Sequence, residues 1–213
     1  MLFRSAFGGV LAFNRELDAE TATELAKIFT ECIAAPSFSA GALAVLAAKK
    51  NLRLVRVEPS ADTYVVKSIS GGMLAQSIDD LTFDRSKVEV KTKRQPTEEE
   101  WRALEFGWKV VKHVKSNAIV YARAGQSVSA GAGQMSRVDS VKVGAMKAVL
   151  PLVGTALASD AFFPFPDGIE VAAKHGITAV IQPGGSVKDA EAIAAADRLR
   201  LTMVFTGVRH FRH

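Results

Sequence analysis

The feature that most constrains the fold is an alternation of strand and helix patterns near the end of the chain. The apolar stretch ITAVIQP is typical of a buried strand, VKDAEAIAAADRLR has the periodicity of a helix, and LTMVFT is again strand-like. A helix that connects two buried strands forms a crossover, which brings the strands side by side in parallel. The chain is therefore expected to be an α/β protein.

The same alternation extends towards the beginning of the chain. The pattern predicts one helix over ELDAETATELAKIFTECIAAP, which Asp18 opens and Pro36 ends. A second, alanine-rich helix is predicted in SFSAGALAVLAAKKN, followed by the strand-like LRLVRV. Because glycines and charges interrupt the opening stretch MLFRSAFGGVLAFNREL and no small-residue cleavage site follows, we interpret it as part of the fold and not as a signal peptide.

The pattern changes in the middle of the chain. Short β segments (TYVVKSI, GGMLAQS, VEVKT) give way to PTEEEWRALEFGWKVVKHV, a predicted helix that begins with a capping box from Thr97 to Glu100. The stretch NAIVYARAGQSVSAGAG predicts two strands joined by a turn, with a helix beginning near Ser136. The change from a β-rich to a helical pattern gives two predicted domains, 1–95 and 96–213.

Composition restricts the class of protein. No apolar run is long enough to cross a membrane as a helix. The single cysteine, Cys32, excludes an intrachain disulfide and a zinc site of paired cysteines, so we expect a reducing cytoplasm and no metal. The net charge is +5, but the basic residues are scattered and do not alternate with aromatics. We therefore expect small anionic ligands such as phosphates and carboxylates, and no nucleic acid.

Two polar segments in the second half are candidates for ligand binding. In GAGQMSR, glycines permit close approach of a ligand, and the start of the following helix offers N–H groups to an anion. The guanidinium of Arg137 adds a planar set of donors. The alternative interpretation is an ordinary strand-to-helix turn. Asn117 stands at the start of an apolar strand. Its amide is suited either to a ligand amide or to a neighbouring backbone group.

An aromatic run and the end of the chain provide further candidates. SDAFFPFPDG, with Asp160 and Asp167, forms either a wall for a flat aromatic ligand or a core plug below a helix. The tail TGVRHFRH follows a strand, and open α/β sheets bind ligands at the carboxyl ends of their strands. Arg209 is therefore a candidate phosphate clamp, although charged tails are often frayed and solvated.

Taken together, these stretches resemble one family. KSNAIVYARAGQSVSAGAGQMSR, SDAFFPFPDG, VIQPGGS and RHFRH are similar, in this order and spacing, to the AICAR transformylase domain of the bifunctional purine-biosynthesis enzymes, and SAFGGVLAFNREL and TKRQPTEEE also fit. The resemblance implies a pair of cytidine-deaminase-like α-β-α units, each a mixed sheet with helices on both faces and no zinc. The domain 1–95 would then hold the remainder of the first unit and a β-rich connection, and 96–213 the second unit.

The resemblance also implies a reaction and a set of ligand contacts. The reaction is formyl transfer from 10-formyltetrahydrofolate, a co-substrate, to the amino group of AICAR, with no metal required. Asn117 is assigned a supporting catalytic role. The nucleotide side comprises Asn117, Arg137 and Arg209, and the folate side comprises Val138, Phe162, Asp167, Ser186 and Val187. Ser186 lies in the GGS turn, where a hydroxyl and backbone N–H groups are expected to be available to the folate.

One expected residue has no counterpart in these stretches. The catalytic histidine of the family belongs to a Lys-His pair upstream of SAFGG, so it is expected to lie upstream of Met1. The pairs Lys112–His113 and Lys174–His175 fall inside predicted helices and are interpreted as surface residues. His210 and His213 are the remaining histidines, and of all four His213 is the first to test as a substitute base.

These observations leave two functional hypotheses. The first is a transformylase, expected to be a cytoplasmic homodimer because the family builds its sites across a dimer interface. The second is a non-catalytic module that binds nucleotide or folate, or that complements another chain carrying the Lys-His pair. Turnover with both substrates separates the two hypotheses.

Overall fold

The computed structural model describes residues 8–58 and 63–212. His213, singled out above, and the first residues of the stretch SAFGGVLAFNREL lie outside this part of the chain. The chain divides into two compact units, Met1–Ile78 and Asp79–His213. The domain assignment made from the sequence stays a prediction, as does the relationship to cytidine deaminases. What the structure supports is a mixed α/β architecture in which each unit has its own sheet.

The first unit contains a parallel sheet of three strands in the order β1-β2-β3. The strands are β1 (Gly9–Ala12), β2 (Thr30–Ala35) and β3 (Arg53–Arg56), and the connecting helices are α1 (Ala19–Leu25) and α2 (Ala40–Leu46). Each helix starts at a side-chain cap: Asp18 Oδ1 accepts from Thr21 N at 2.8 Å and Ser39 Oγ accepts from Ala42 N at 3.1 Å.

The prediction of one long helix from Asp18 to Pro36 is wrong in its second half. The helix ends at Leu25, and TECIAA forms the central strand β2. Its main chain pairs with strands on both sides, and Ile33 and Ala35 are buried. Pairing and burial of this kind depend on distant residues, so they override the helical pattern of the local sequence.

The two faces of this sheet differ. On one face, Ile33 and Ala35 pack with Leu17, Ala22 and Leu46, which come from the two helices and the segment before them. On the other face, Val10 is 74% exposed and Val55 is also exposed. Since parallel sheets are normally covered on both faces, this sheet has an open apolar face among the described residues of the first unit.

A two-stranded antiparallel hairpin completes the first unit. It consists of β4 (Tyr64–Ile69) and β5 (Gly72–Ser77), whose residues are all exposed. The register pairs Val66 with Ala75 and Lys67 with Leu74, so apolar side chains occur on both faces of the hairpin. Isolated two-stranded hairpins are marginally stable in water, so these faces are suited to packing against a partner.

The second unit contains a mixed sheet of six strands in the order β6-β11-β10-β9-β7-β8. The strands are β6 (Glu89–Val90), β7 (Ile119–Arg123), β8 (Gln126–Gly131), β9 (Ala156–Ser159), β10 (Ala179–Gln182) and β11 (Thr202–Phe205). The helices are α3 (Glu98–Val111), α4 (Arg137–Lys147), α5 (Asp167–Ala173) and α6 (Asp189–Arg198), and a short 3-10 helix spans Arg85–Lys87.

Helices cover both faces of this sheet. On one face, Trp101, Leu104 and Trp108 of α3 pack on Val120 and Ile181. The opposite face packs against α4, α5 and α6 through the buried side chains of Val141, Ile169, Ala172, Ala192 and Ala196. The layered arrangement expected for the second half of the chain is therefore present. Among the described helices of both units, none is long and apolar enough to cross a membrane.

The strand directions place several loops at one edge of the sheet. β10 and β11 are parallel, which confirms the predicted crossover, and β9 is parallel to β10. β7 runs antiparallel to β9, with Ile119 opposite Ser159. Consequently the loop before β7 lies at the same edge as the carboxyl ends of β9, β10 and β11. Strand β9, formed by ALAS, was not expected from the sequence because its small residues carry little strand signal.

The start of α3 is held by polar contacts as well as by its core. The capping box is confirmed, since Thr97 Oγ1 accepts from Glu100 N at 3.2 Å and Glu100 Oε2 accepts from Thr97 N at 2.8 Å. Arg94 donates to both carboxylate oxygens of Glu100 and to the backbone carbonyls of Thr178 and Arg200. Arg94 thus ties the beginning of α3 to the loops that precede β10 and β11.

Candidate functional site

A pocket of about 500 Å³ opens at the carboxyl edge of the six-stranded sheet. Ligands of open α/β sheets bind at this edge. Four segments supply the walls: the loop before β7, the start of α4, the aromatic loop after β9 and the tail after β11. The lining residues are Asn117, Met135, Ser136, Arg137, Val138, Ala161, Phe162, Pro164, Phe165, Asp167, Arg209 and Phe211.

The pocket brings together six of the eight residues to which the sequence analysis assigned ligand contacts. These are Asn117, Arg137, Val138, Phe162, Asp167 and Arg209. The other two, Ser186 and Val187, do not line it, and Val187 is 99% exposed. Both follow β10, so they lie beyond the same edge of the sheet. The ligand contacts themselves stay predictions for all eight residues.

Arg137 is tied to the protein by a buried ion pair. It is only 7% exposed, and its Nη1 lies 2.6 Å from Oδ1 of the fully buried Asp160. Nη1 also donates to Ser159 Oγ at 2.7 Å, and Nη2 donates to Asn117 Oδ1 at 3.1 Å. The sequence interpretation treated this guanidinium as a free fork for an anion, whereas much of its charge is balanced by Asp160. Arg137 therefore lines the pocket and also stabilises the loops beneath it through this ion pair.

Asn117 uses its amide within the protein. Nδ2 donates to the backbone carbonyls of Gln134 and Met135 at 3.1 and 3.2 Å. The backbone carbonyl of Asn117 accepts from Ser140 Oγ at 2.8 Å. Of the two interpretations left open by the sequence, satisfying neighbouring backbone groups is therefore observed. These bonds fix the loop before α4 against the start of β7, and they leave one face of Asn117 on the pocket wall.

The aromatic run divides between the core and the pocket. Phe163 is fully buried, and its N–H donates to the buried Gln182 Oε1 at 2.9 Å. Phe162 and Phe165 line the pocket instead. The core interpretation is thus observed for Phe163, and the ligand wall stays a prediction for Phe162 and Phe165. Asp167 begins α5 and accepts from Gly168 N at 2.7 Å, while its exposed carboxylate also reaches the pocket.

The tail is bound to the sheet and not frayed over the residues that the structure describes. Ser116 N donates to Arg212 O at 2.9 Å, and Arg212 N donates to Ser116 Oγ at 3.0 Å. Arg209 is exposed on the pocket wall, and its guanidinium lies 5.4 Å from the centroid of Phe211. Within the described part of the chain Arg209 forms no ion pair, so it supplies a cation to the pocket.

The first glycine of GAGQMSR, Gly131, serves packing. A Cβ on Gly131 would lie 1.8 Å from the carbonyl oxygen of Ser140, so glycine allows β8 to approach α4 closely. Ser136 caps α4 by accepting from Asp139 N at 3.2 Å. The loop is thus the strand-to-helix connection of the alternative interpretation, and it contributes Met135 and Ser136 to the pocket wall.

The GGS turn also uses its polar groups locally. Gly185 N and Ser186 N both donate to Asp189 Oδ2, at 2.7 and 3.2 Å, and Ser186 Oγ accepts from Lys188 N at 3.1 Å. The expectation that these backbone N–H groups are available to a ligand is therefore wrong, because the Asp189 carboxylate occupies them. The hydroxyl proton of Ser186 remains as a possible donor.

The two Lys-His pairs lie away from the pocket lining. His113 and His175 lie in turns directly after α3 and α5, so the prediction that they lie inside helices is wrong. Both are exposed, which confirms their predicted surface position. Partial burial of the ring, followed by the neighbouring Lys112 and Arg212 charges, lowers the pKa of His113. Neither histidine lines the pocket.

Sequence reasoning missed the role of Asp160 and its hydroxyl partners. Asp160 Oδ2 accepts from Ser116 Oγ at 2.6 Å, while Oδ1 accepts from Arg137. A carboxylate in a buried position needs a cationic partner, but the burial of Asp160 follows from strand β9, which the sequence did not predict. Which cation it pairs with could not be read from the sequence. Among residues 8–58 and 63–212, no group of three or more His, Cys, Asp or Glu side chains is placed to hold a metal ion.

The fold and the pocket define a mixed α/β protein with an arginine- and phenylalanine-lined cavity at the carboxyl edge of a six-stranded sheet. The family described as AICARFT/IMPCHase bienzyme matches residues 3–147, which is more than half of the chain. The chain therefore belongs to the AICARFT/IMPCHase bienzyme family.

Curated relatives cover almost the whole chain. The bifunctional purine biosynthesis protein PurH of Desulfitobacterium hafniense (strain DSM 10664 / DCB-2) is 58% identical over 213 residues, and PurH of Bacillus cereus (strain AH187) is 54% identical over 212 residues. Both alignments cover 98% of this chain but only 41% and 42% of the relatives. The chain thus spans about two fifths of the length of the proteins that it matches.

Proposed function

We propose that this chain provides the ligand pocket for formyl transfer from 10-formyltetrahydrofolate to AICAR in purine biosynthesis. The observation that carries the proposal is the pocket at the sheet edge, where six residues assigned to nucleotide or folate by the family resemblance line one cavity of about 500 Å³. A cavity of this size matches those that bind small organic ligands. Membership of the AICARFT/IMPCHase bienzyme family supports the same reaction. A cytoplasmic location is part of this proposal.

The chemistry of the walls agrees with two different ligands. The exposed guanidinium of Arg209 is suited to the phosphate of AICAR, and Asn117, which the resemblance also assigns to the nucleotide, lines the same cavity. Phe162 and Phe165 offer faces to a flat ring, and the Asp167 carboxylate can accept from a pterin amino group. The two sets of residues face the same cavity, so both substrates would be held against each other.

In the proposed reaction, the amino nitrogen of AICAR attacks the formyl carbon. A C–N bond forms there, the bond from that carbon to N10 of the folate breaks, and the proton lost by the amine is passed on to N10. Positioning the two reactants can supply on the order of 7–11 kcal/mol of the barrier reduction. Among the lining residues that the structure describes, none is a histidine or lysine, so the pocket by itself lacks the expected base.

The test compares binding and turnover of the purified chain. We expect calorimetry to detect binding of AICAR and of a folate substrate analogue, and turnover to fall roughly 10² to 10⁴-fold below that of a full-length relative, the usual effect of losing a general base. Turnover of about 1 per second or faster would place the base among the residues of this chain. Absence of binding for both ligands would contradict the proposed function.

A second candidate function is a module that complements another polypeptide. The observation that favours it is the open apolar face of the three-stranded sheet, where Val10 and Val55 are exposed. The chain matches only about two fifths of its relatives, so the remaining part of such a protein is a reasonable cover for this face.

Complementation separates the two candidates. Mixing this chain with the part of a relative that it does not match, expressed separately, should restore turnover if the chain acts as a module. Val10→Lys and Val55→Lys should abolish that gain without changing ligand binding by the isolated chain. Full turnover by the isolated chain would instead exclude the need for a complementing polypeptide.

A further inference from the structure

His210 is the most deeply buried histidine among the described residues, although it belongs to the polar tail. It is 1% exposed, and its ring packs edge-on against Trp108, with the ring centroids 4.3 Å apart and an interplanar angle of 72°. Its Nδ1 is hydrogen-bonded to Oδ2 of Asp79, a residue 131 positions away in the sequence. A histidine buried to this extent cannot reach the cavity, and it is absent from the cavity lining.

The two neighbours of His210 have the opposite environment. Arg209 and Phe211 are exposed and line the pocket. The backbone between them is fixed because His210 N donates to Asp160 O at 2.8 Å. The side chain of His210 therefore points into the protein at the position where its neighbours face the ligand cavity.

Asp79 is itself held in place. Its backbone carbonyl accepts from Lys112 Nζ at 3.1 Å, and Lys112 follows α3 directly. The bond from His210 to Asp79 thus connects the tail after β11 to the loop that follows β5. Without this bond, the buried imidazole would lose its only polar partner, since Nε2 has none among the described residues. An unpaired buried polar group favours conformations in which the tail detaches.

We propose that His210 is a positioning residue, which holds Arg209 at the pocket through its buried bond to Asp79 so that Arg209 can bind the phosphate of a nucleotide. The assignment of the phosphate rests on the proposed function. Arg209 makes no ion pair with the described residues, so its place on the wall depends on the anchoring of the tail. If the tail were correctly placed for only a tenth of the time, the apparent Kd would rise about tenfold.

The role of anchor differs from that of a base. An anchor needs a hydrogen-bond donor to the Asp79 carboxylate. His210→Asn retains such a donor, because the amide nitrogen of asparagine lies close to the position of Nδ1. A base needs the imidazole itself. His210→Asn should therefore behave like the parent chain, whereas His210→Leu and Asp79→Ala should not. His175→Leu, an exposed histidine outside the pocket, is the matched control.

The experiment measures tail order and ligand affinity separately. Amide hydrogen exchange of residues 209–212 should be accelerated in His210→Leu and in Asp79→Ala, and heteronuclear NMR of the parent chain should show the imidazole proton on Nδ1. The Kd for AICAR should rise about tenfold in both variants, with the Kd for the folate analogue unchanged. His210→Asn and His175→Leu should match the parent in both measurements.

The outcomes distinguish the anchor from the proposed function. Unchanged exchange of the tail in both His210→Leu and Asp79→Ala would overturn the proposal, as would equal weakening of both ligands. If the parent chain binds no AICAR while tail exchange still accelerates in both variants, the proposed function is wrong and the anchor stands. Asp79→Ala alters a partly exposed residue whose Oδ1 also accepts from Leu81 N at 3.3 Å, and it removes the bond to His210 even if His210→Leu fails to fold.

Discussion

At the scale of single residues, the buried pair of Arg137 and Asp160 dominates the site. Asp160→Asn would leave the guanidinium of Arg137 without its counter-charge in a buried position, and we expect a loss of about 3–5 kcal/mol in the free energy of unfolding. Urea denaturation followed by circular dichroism measures this loss. Asp139→Asn removes a carboxylate from an exposed pair with Lys142 and should cost much less, since exposed ion pairs contribute little to stability. Equal losses in the two variants would contradict the structural role of the buried pair.

Arg209 provides the second prediction at this scale. Because it is the exposed cation of the pocket, Arg209→Ala should weaken AICAR binding by about 1.5–3 kcal/mol, the usual value of a hydrogen bond to a charged group. Folate binding should change little. Phe162→Ala is the reciprocal variant and should weaken the folate analogue and spare AICAR. Calorimetry that finds the same loss for both ligands in Arg209→Ala would show that the pocket is not divided between nucleotide and folate.

At the scale of elements, the start of α3 predicts a dependence of stability on pH. Burial by itself would raise the pKa of Glu100, but hydrogen bonds from Arg94 and from the backbone N–H of Thr97 outweigh it and lower the pKa below its ordinary value of 4.5. A carboxylate whose pKa is lowered in the folded state stabilises the fold above its unfolded pKa. This contribution is lost as the pH falls through the folded pKa.

Glu100→Gln tests this linkage. The variant should be less stable than the parent chain at about pH 7, and the difference should shrink as the pH falls from the ordinary pKa of 4.5 through the lowered pKa of the folded state, because the parent then loses the charged pair with Arg94. Urea unfolding at several pH values measures both effects. Glu99→Gln, on the same helical turn but exposed, is the control. A difference between Glu100→Gln and the parent that does not depend on pH would exclude the ionic contribution.

At the scale of the whole molecule, the exposed apolar surface predicts self-association. Tyr64, Val66 and Met73 lie on one face of the β4–β5 hairpin and are all exposed, a pattern that is suited to burial against a second copy. We expect light scattering to show a dimer at micromolar concentration. Val66→Lys combined with Met73→Lys should shift the chain to a monomer, whereas Val149→Lys, an exposed position in the other unit, should not. A stable monomer of the parent chain would contradict the prediction.

The sequence by itself determined the elements whose signals are local. The capping box of α3, the crossover from β10 to β11 and the turn between β7 and β8 follow from neighbouring residues, so the structure confirms them. The motif stretches also sufficed to indicate the family, because their order and spacing are properties of the sequence alone.

Tertiary structure decided the pairings between distant residues. TECIAA forms a strand because β1 and β3 pair with it on both sides. Arg137 pairs with Asp160, 23 positions away, because a buried carboxylate needs a counter-charge. His210 is hydrogen-bonded to Asp79, 131 positions away, and packs against Trp108. Burial and charge pairing depend on which residues the fold brings together, and local sequence patterns do not determine these contacts.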